Sequence, residues 1–107
     1  MASRTQQSSG LPQVAEVTWF RMKPGITAKQ AVEAGRDIDA WLRRQPGFVS
    51  RLMISNTDGS ITDIVVWATE QDGRNSSGRL MAETAGSRFH ALVDGTSVDW
   101  TFAAVLI

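Results

Sequence analysis

The order of its secondary-structure signals is what most constrains the fold of this chain. The chain has four segments rich in β-forming residues and two segments whose apolar residues recur at helical spacing. They occur in the order β-α-β-β-α-β. Crossover connections within a sheet are right-handed, which places the first and third strands in the middle. The sequence therefore predicts an α+β domain with a ferredoxin-like βαββαβ fold, in which both helices cover one face of an antiparallel sheet.

Turn signals bound the predicted elements. Thr27 begins the first helix with a capping-box pattern that includes Gln30, and Pro46-Gly47 ends it. The second helix is predicted to begin late, near residue 78, because residues 73–78 are mostly poor helix formers. We interpret residues 73–78 as a loop, either a plain one or a flexible lid over a cavity. The strands are predicted at residues 14–22, 48–55, 61–69 and 98–107.

Charge and composition narrow the classes of partner. The 107 residues include 11 basic and 11 acidic side chains, and this balance argues against nucleic acid or an anionic membrane as a partner. There is no cysteine, which excludes disulfides and fits a cytoplasmic location. One histidine and scattered carboxylates give no metal-ligand spacing, so no metal is expected. Residues 1–13 are polar, without the apolar run of a signal peptide or membrane anchor, and predict a flexible tail before a single domain at residues 14–107.

Side chains alternate between the two faces of a sheet, so each predicted strand divides into two sets. The first set is almost wholly apolar, and we assign it to the face under the helices: Ala15, Val17, Trp19, Phe48, Leu52, Ile54, Ile64, Val66, Ala68, Trp100, Phe102, Ala104 and Leu106. The second set mixes charged and large apolar side chains: Glu16, Thr18, Phe20, Met22, Val49, Arg51, Met53, Asp63, Val65, Trp67, Asp99, Thr101, Ala103 and Val105.

No third helix is available to cover the second set. Soluble monomers rarely expose so large an apolar patch, so we expect a homodimer in which the two mixed faces meet. Two curved sheets would enclose a cavity with apolar walls and a few polar groups, which suits a small apolar or aromatic ligand. The predicted ligand-binding residues are Glu16, Thr18, Phe20, Arg51, Met53, Val65 and Trp67.

Three charged side chains on this face need partners, because a buried unpaired charge is costly. Glu16, Arg51 and Asp63 form either a structural ion-pair network, which we favour, or a ligand-orienting set. In the second case Asp63 is a candidate general base, and Arg51 holds an anionic group of the ligand.

Two aromatic features also have two interpretations. His90, the only histidine, is the other candidate catalytic base, and the alternative is a solvated helix residue. Trp67 either stacks on an aromatic ligand or fills the interior, and we favour the interior. The remaining tryptophans, Trp19, Trp41 and Trp100, are expected in the core.

Three short motifs in a fixed order suggest a family. Gln45-Pro46-Gly47-Phe48 follows the first helix, Val66-Trp67-Ala68-Thr69-Glu70 ends the third strand, and Ser87-Arg88-Phe89-His90 lies in the second helix. With this element order, the chain resembles the dimeric α/β-barrel superfamily, in particular the antibiotic-biosynthesis-monooxygenase-like domains. The resemblance implies a homodimer whose strands form a barrel around ligand cavities. The family includes cofactor-independent oxygenases of polyketide-type aromatics, quinol monooxygenases and haem-degrading enzymes.

The sequence departs from the haem-degrading branch of that family. That branch has an asparagine on the first strand, a tryptophan within the second helix and a histidine near the end of that helix. The first and last of these positions fall near Thr18 and near Val93, and the second helix has no tryptophan. We therefore expect no cofactor. The resemblance implies a cofactor-independent monooxygenase acting on a small aromatic or quinol-type substrate, and the alternative is a non-catalytic dimeric ligand-binding or structural protein.

Overall fold

The computed structural model describes residues 12–107 and has the predicted α+β architecture. The elements are β1 (Val14–Met22), α1 (Ala28–Ala34), α2 (Arg36–Arg43), β2 (Phe48–Ser55), β3 (Ile61–Trp67), α3 (Glu70–Glu83), α4 (Phe89–Leu92) and β4 (Val93–Ala104). The four strands form one antiparallel sheet in the order β2-β3-β1-β4, so β1 and β3 are central as predicted.

Most of the predicted N-terminal tail, residues 1–11, lies outside the described residues. The carbonyl of Gln13 accepts a hydrogen bond from the N–H of Val105 at 2.9 Å, so ladder-like bonding continues just past β1 and β4. None of the helices within residues 12–107 is long and apolar enough to span a membrane.

The first crossover contains two helices rather than the single predicted one. The capping box at its start is present: the Thr27 hydroxyl accepts from the Gln30 N–H at 3.1 Å, and the Gln30 side chain accepts from the Thr27 N–H at 2.8 Å. Gly35 separates α1 from α2. A Cβ atom there would lie 3.1 Å from the Phe89 ring, so the glycine lets this corner pack closely against α4.

The Pro46-Gly47 turn explains the first of the three motifs. Gly47 has φ of +80°, which glycine adopts without the steric penalty of other residues. The Asp72 carboxylate occupies the position that a Cβ atom of residue 47 would need. The Gly47 carbonyl also accepts from the Ala68 N–H at 2.7 Å. The turn thus joins the start of β2 to the end of β3 and to α3.

The prediction of a loop or lid at residues 73–78 was wrong, because α3 already begins at Glu70. The Thr69 hydroxyl caps it by accepting from the Asp72 N–H at 3.1 Å. Gly73 is buried against Trp67 and Phe102, so tertiary packing outweighs its low helix propensity. The helix ends early instead, at Glu83, and α4 is a separate turn. The last strand begins at Val93, five residues earlier than predicted.

The two glycines of α3 should respond oppositely to alanine. A Cβ at Gly73 would lie 2.7 Å from Phe102 and 2.8 Å from buried Trp67, whereas nothing lies within 4 Å of one at Gly78. We expect Gly73→Ala to lower the free energy of unfolding by about 1–3 kcal/mol through overpacking. Gly78→Ala should raise it by about 0.5–1 kcal/mol by restricting the unfolded chain. Urea denaturation of both variants measures this, and equal effects would contradict the packing of α3.

The assignment of the sheet faces was wrong for β1, β3 and most of β2. Val14, Val65 and Trp67 lie under the helices and form a core cluster with Ile38, Trp41 and Leu42 of α2. Phe20 is buried on the same face, against Phe89 of α4. The opposite face has no cover within residues 12–107, and its exposed fraction reaches 57% at Leu52. Alternation separates two sets of side chains, but it does not say which set the helices cover when both are apolar.

Two further details complete this correction. The β2 ladder shifts register between Phe48 and Ser50, so Phe48 and Arg51 share the helix-covered face although two residues lie between them, which in a regular strand would put them on opposite faces. Of the tryptophans expected in the core, only Trp41 is there. Trp19 lies on the open face, with the Arg21 guanidinium 5.3 Å from its ring centre, and Trp100 is 46% exposed.

Candidate functional site

A cavity of about 280 Å³ lies between the helices and the sheet within one chain. The prediction placed the ligand cavity between the sheets of two chains, whereas most of the predicted site residues line this cavity within one chain. Most of the wall is apolar. The lining residues are Glu16, Thr18, Phe20, Ile38, Leu42, Arg51, Asp63, Val65, Leu80, Met81, Phe89, His90, Val93, Gly95 and Val98.

The structure brings together most of the predicted site residues. Both candidate bases, Asp63 and His90, line the cavity, as do five of the seven predicted ligand-binding residues. Met53 does not; it lines a separate surface depression that shares Arg51. Trp67 does not line it either and is fully buried, with the Phe48 ring packed edge-on at 6.1 Å. Trp67 therefore fills the interior.

The sequence prediction missed the part of the wall that the helices and β4 supply. Leu80, Met81 and Phe89 face the cavity from the second crossover, and Ile38 and Leu42 face it from α2. Their apolar spacing was visible in the sequence, but the same spacing is typical of helix residues that fill a core. No signal in the sequence distinguishes the two cases.

Arg51 lies in an ion-pair network at the polar end of the cavity. Its Nε donates to Asp63 Oδ1 at 3.0 Å and its Nη2 donates to Asp63 Oδ2 at 2.7 Å, which is a two-point pairing. Its Nη1 donates to Asp39 Oδ1 at 3.1 Å, and Asp39 also accepts from Arg43. The Arg51 side chain is 9% exposed. Asp39 was not among the predicted partners.

The carboxylates of Asp63 and Asp39 favour the charged form of Arg51. Burial alone would lower the pKa of Arg51, but hydrogen bonds and charge from Asp63 and Asp39 outweigh it and raise that pKa. Burial would likewise raise the pKa of Asp39, yet the guanidinium groups of Arg43 and Arg51 hold it below its usual value. Arg51 stays cationic and is neutralised locally, so the polar end of the cavity presents hydrogen-bonding groups rather than a free positive charge.

Glu16 lies outside this network, contrary to the prediction. Its Oε1 accepts from the indole N–H of Trp67 at 2.8 Å, and its Oε2 accepts from the indole N–H of Trp100 at 2.6 Å. The Ser77 hydroxyl donates to the same Oε2 at 2.5 Å. No cation within residues 12–107 forms a salt bridge with Glu16. The carboxylate therefore ties β1 to β3, β4 and α3 through three neutral donors.

His90 is held at the cavity by its neighbours. Its Nε2 lies 2.9 Å from Thr84 Oγ1 and 3.1 Å from the Thr84 carbonyl oxygen. The adjacent Phe89 ring packs edge-on against Phe20 at 5.8 Å, which fixes α4 on β1. His90 is half-buried rather than fully solvated.

The cavity continues into an open groove between α3 and β4. The two spaces share Glu16, Thr18, Leu80, Met81 and Val98. The groove adds about 530 Å³ and has the exposed face of the Trp100 indole in its wall. A ligand can therefore enter from this side. No group of three metal-ligating side chains occurs in the described part of the chain.

Comparison with known proteins yields relatives in structure only. No protein-family model matches the chain, and no curated protein is significantly similar to it in sequence. SnoaB, a cofactor-independent oxygenase of Streptomyces nogalater, superposes with a TM-score of 0.68 at 22% identity over 90% of this chain and 95% of SnoaB. The ActVA-Orf6 monooxygenase of Streptomyces coelicolor, solved with the ligand nanaomycin D, gives 0.62 at 23% identity over 94% and 93%.

A third similar structure belongs to another reaction class. MhuD, a haem degrader of Mycobacterium tuberculosis solved with two haems in its active site, gives a TM-score of 0.71 at 13% identity over 88% of this chain and 96% of MhuD. These likenesses confirm the predicted ferredoxin-like fold, which this chain shares with the oxygenase, the monooxygenase and the haem degrader. At such identities they establish the fold alone, since one fold hosts several reactions.

Proposed function

We propose that this protein is a cofactor-independent monooxygenase that oxidises a small fused-ring phenol or quinol in the cavity between its helices and sheet. The observation that carries the proposal is the cavity itself, with apolar walls and hydrogen-bonding groups from Thr18, Asp63 and His90. The fold shared with SnoaB and ActVA-Orf6 supports it. The absence of a cofactor and the cytoplasmic location remain predictions.

The chemistry requires little from the protein. A substrate whose anion is stabilised by resonance supplies the electrons that reduce O₂, so no external reductant is needed. The ring methylene of an anthrone plus O₂ yields a carbonyl and water, and a naphthoquinol plus O₂ yields a hydroxynaphthoquinone and water. The protein has to exclude water, accept a proton and hold the ring in one orientation. The apolar walls serve the first task, and the polar residues serve the other two. Arg51 then orients Asp63 rather than binding an anionic ligand.

The size of the cavity bounds the substrate. A cavity of about 150 Å³ holds one benzene ring. The 280 Å³ of this cavity therefore suits about two fused rings, and a third ring or a substituent extends into the groove beside Trp100. The substrate class that fits is a naphthoquinol or an anthrone.

Oxygen consumption tests this function directly. Purified protein, treated with a chelator, should consume O₂ with 1,4-dihydroxynaphthalene or an anthrone, and label from ¹⁸O₂ should enter the product. Val98→Trp narrows the cavity and should reduce the rate by about 100-fold, because displacing a substrate by about 1 Å has this effect. Val49→Trp is the matched control, since Val49 is a strand valine of similar exposure that does not line the cavity.

The outcomes separate the candidate functions. Turnover that is reduced in Val98→Trp but unchanged in Val49→Trp supports the oxygenase function. Saturable binding of the same compounds without O₂ consumption would replace it with the non-catalytic ligand-binding function. If the protein neither binds nor turns over these compounds, both candidate functions are contradicted.

We also propose that the open face of the sheet is the dimer interface. Val17, Leu52 and Ile64 are cross-strand neighbours on it, and together with Val66 and Ile54 they form an apolar patch of the kind that soluble monomers rarely expose. This interface uses the opposite set of side chains from the predicted one.

Light scattering of the purified protein should give about twice the chain mass of 11.7 kDa. Leu52→Lys places a charge in the interface and should shift the mass toward one chain at low micromolar concentration. Val32→Lys, at a comparably exposed valine of α1, is the control and should leave the mass unchanged. A monomeric parent protein, or dissociation by both variants, would exclude this interface.

A further inference from the structure

The hydrogen bonds around His90 determine which of its ring nitrogens carries the proton. The Thr84 hydroxyl donates its single hydrogen to the Leu80 carbonyl at 2.6 Å, so its oxygen is left to accept from His90 Nε2. The Thr84 carbonyl oxygen, 3.1 Å from the same nitrogen, also only accepts. Both neighbours of Nε2 are therefore acceptors, and Nε2 must be protonated.

The other ring nitrogen has a different environment. No residue within 12–107 forms a hydrogen bond with His90 Nδ1, and His90 lines the cavity. Since Nε2 holds a proton in both the neutral and the cationic ring, Nδ1 is the atom that gains or loses one. The geometry thus leaves Nδ1 as the only basic atom of the ring.

We infer that Thr84 is a positioning residue that keeps the proton of His90 on Nε2, and that Nδ1 accepts the hydroxyl proton of the substrate. In this step the O–H bond breaks, an N–H bond forms at Nδ1, and the oxygen keeps the electron pair as a phenolate or quinolate. The inference rests on the proposed function and assigns its general base to His90. Asp63, which the two-point pairing with Arg51 already occupies, is left as a hydrogen-bond acceptor.

Nuclear magnetic resonance tests the assignment without any turnover. The chain has one histidine, so two-bond ¹⁵N–¹H spectra of uniformly labelled protein contain one imidazole. At a pH where this ring is neutral, we expect the pattern of the Nε2–H tautomer. Addition of 2-naphthol, an unreactive two-ring phenol, should move the ¹⁵N signal of Nδ1 and leave that of Nε2 nearly unchanged.

Variants separate positioning from general stability. Thr84→Val removes one acceptor and should increase the Nδ1–H population or the exchange of the Nε2 proton by about 2–10-fold, the effect of one neutral hydrogen bond. Thr84→Ser keeps the hydroxyl and should restore the parent spectrum. His90→Gln keeps an N–H donor for Thr84 but has no base, and should lower kcat by about 100-fold or more with little change in KM.

The results distinguish this inference from the proposed function. A neutral ring with the proton on Nδ1, or an Nδ1 signal that 2-naphthol leaves unmoved, would overturn the role of His90 even if the protein consumes O₂. Full activity of His90→Gln would do the same. An Nδ1 signal that responds to 2-naphthol in a protein without oxygenase activity would uphold the proton-accepting site and refute the oxygenase.

Discussion

Arg51→Met is expected to lower the free energy of unfolding by about 3–5 kcal/mol, the usual effect of breaking a buried ion pair. Methionine preserves most of the side-chain length but removes all three hydrogen bonds to Asp63 and Asp39. The Asp63 side chain is only 15% exposed, so its charge is left largely without water or a partner. Equilibrium denaturation in urea measures the change.

Two comparisons identify the cause of this loss. Adding Asp63→Asn to Arg51→Met removes the stranded charge and should recover a large part of the stability. Arg36→Met removes an exposed pair with Glu33 and should have little effect, because exposed ion pairs contribute little. Unchanged stability of Arg51→Met would mean that the polar end of the cavity is open to water and that Arg51 is available to a ligand.

The same network predicts a dependence on pH. The folded pKa of Asp39 lies below its ordinary value of 3.8, since Arg43 and Arg51 favour the ionised form. The stabilisation from Asp39 is therefore complete above pH 3.8 and is lost as the pH falls through the lower folded pKa. The difference in stability between the parent protein and Arg51→Met should shrink in that acidic range.

Trp67→Ala should destabilise the protein by about 3–5 kcal/mol, as expected for truncating a large buried aromatic side chain. Trp67 has no exposed surface and packs against Phe48 and Gly73. Its loss leaves a void and removes one of the three donors to Glu16. Thermal or urea denaturation gives the magnitude.

Trp100→Ala is the matched control, because Trp100 donates to the same carboxylate but is 46% exposed. We expect this variant to lower the free energy of unfolding by about 1–2 kcal/mol, mainly because it loses the hydrogen bond to a charged group. Equal losses would show that Glu16, rather than packing, is responsible for the effect of Trp67. A larger loss from Trp100→Ala would contradict the burial of the two rings.

Local rules were sufficient for the order of strands and helical crossovers and for several boundaries, but not for the division of each crossover into two helices. The capping box at Thr27, the Pro46-Gly47 turn and the β2-β3 hairpin depend on neighbouring residues, and all three are present. Boundaries that depend on distant packing were predicted wrongly. The Gly73 segment is helical because Trp67 and Phe102 leave room only for a glycine there.

Most of the candidate site residues were identifiable as a group before their position was known. Charged residues within apolar strands are unusual, and this singled out Glu16, Arg51 and Asp63. The pairing of Arg51 with Asp63 was part of the predicted network. The partners from the helices were not predictable: Asp39 reaches Arg51 from α2, and Ser77 reaches Glu16 from α3. Such contacts depend on how the helices lie across the sheet, which short-range patterns do not specify.

Periodicity and chain connectivity were enough to predict the fold class, the two central strands and the division of β1, β3 and β4 into two sets of side chains. Which of the two sets the helices cover depended on tertiary packing. Both faces of β1 and β3 carry enough apolar surface to be buried, so hydrophobic burial alone does not choose between them. The helices pack on the face that carries Trp67 and Phe20, which contact α2, α3 and α4. Because the helices cover this face, the cavity lies within one chain.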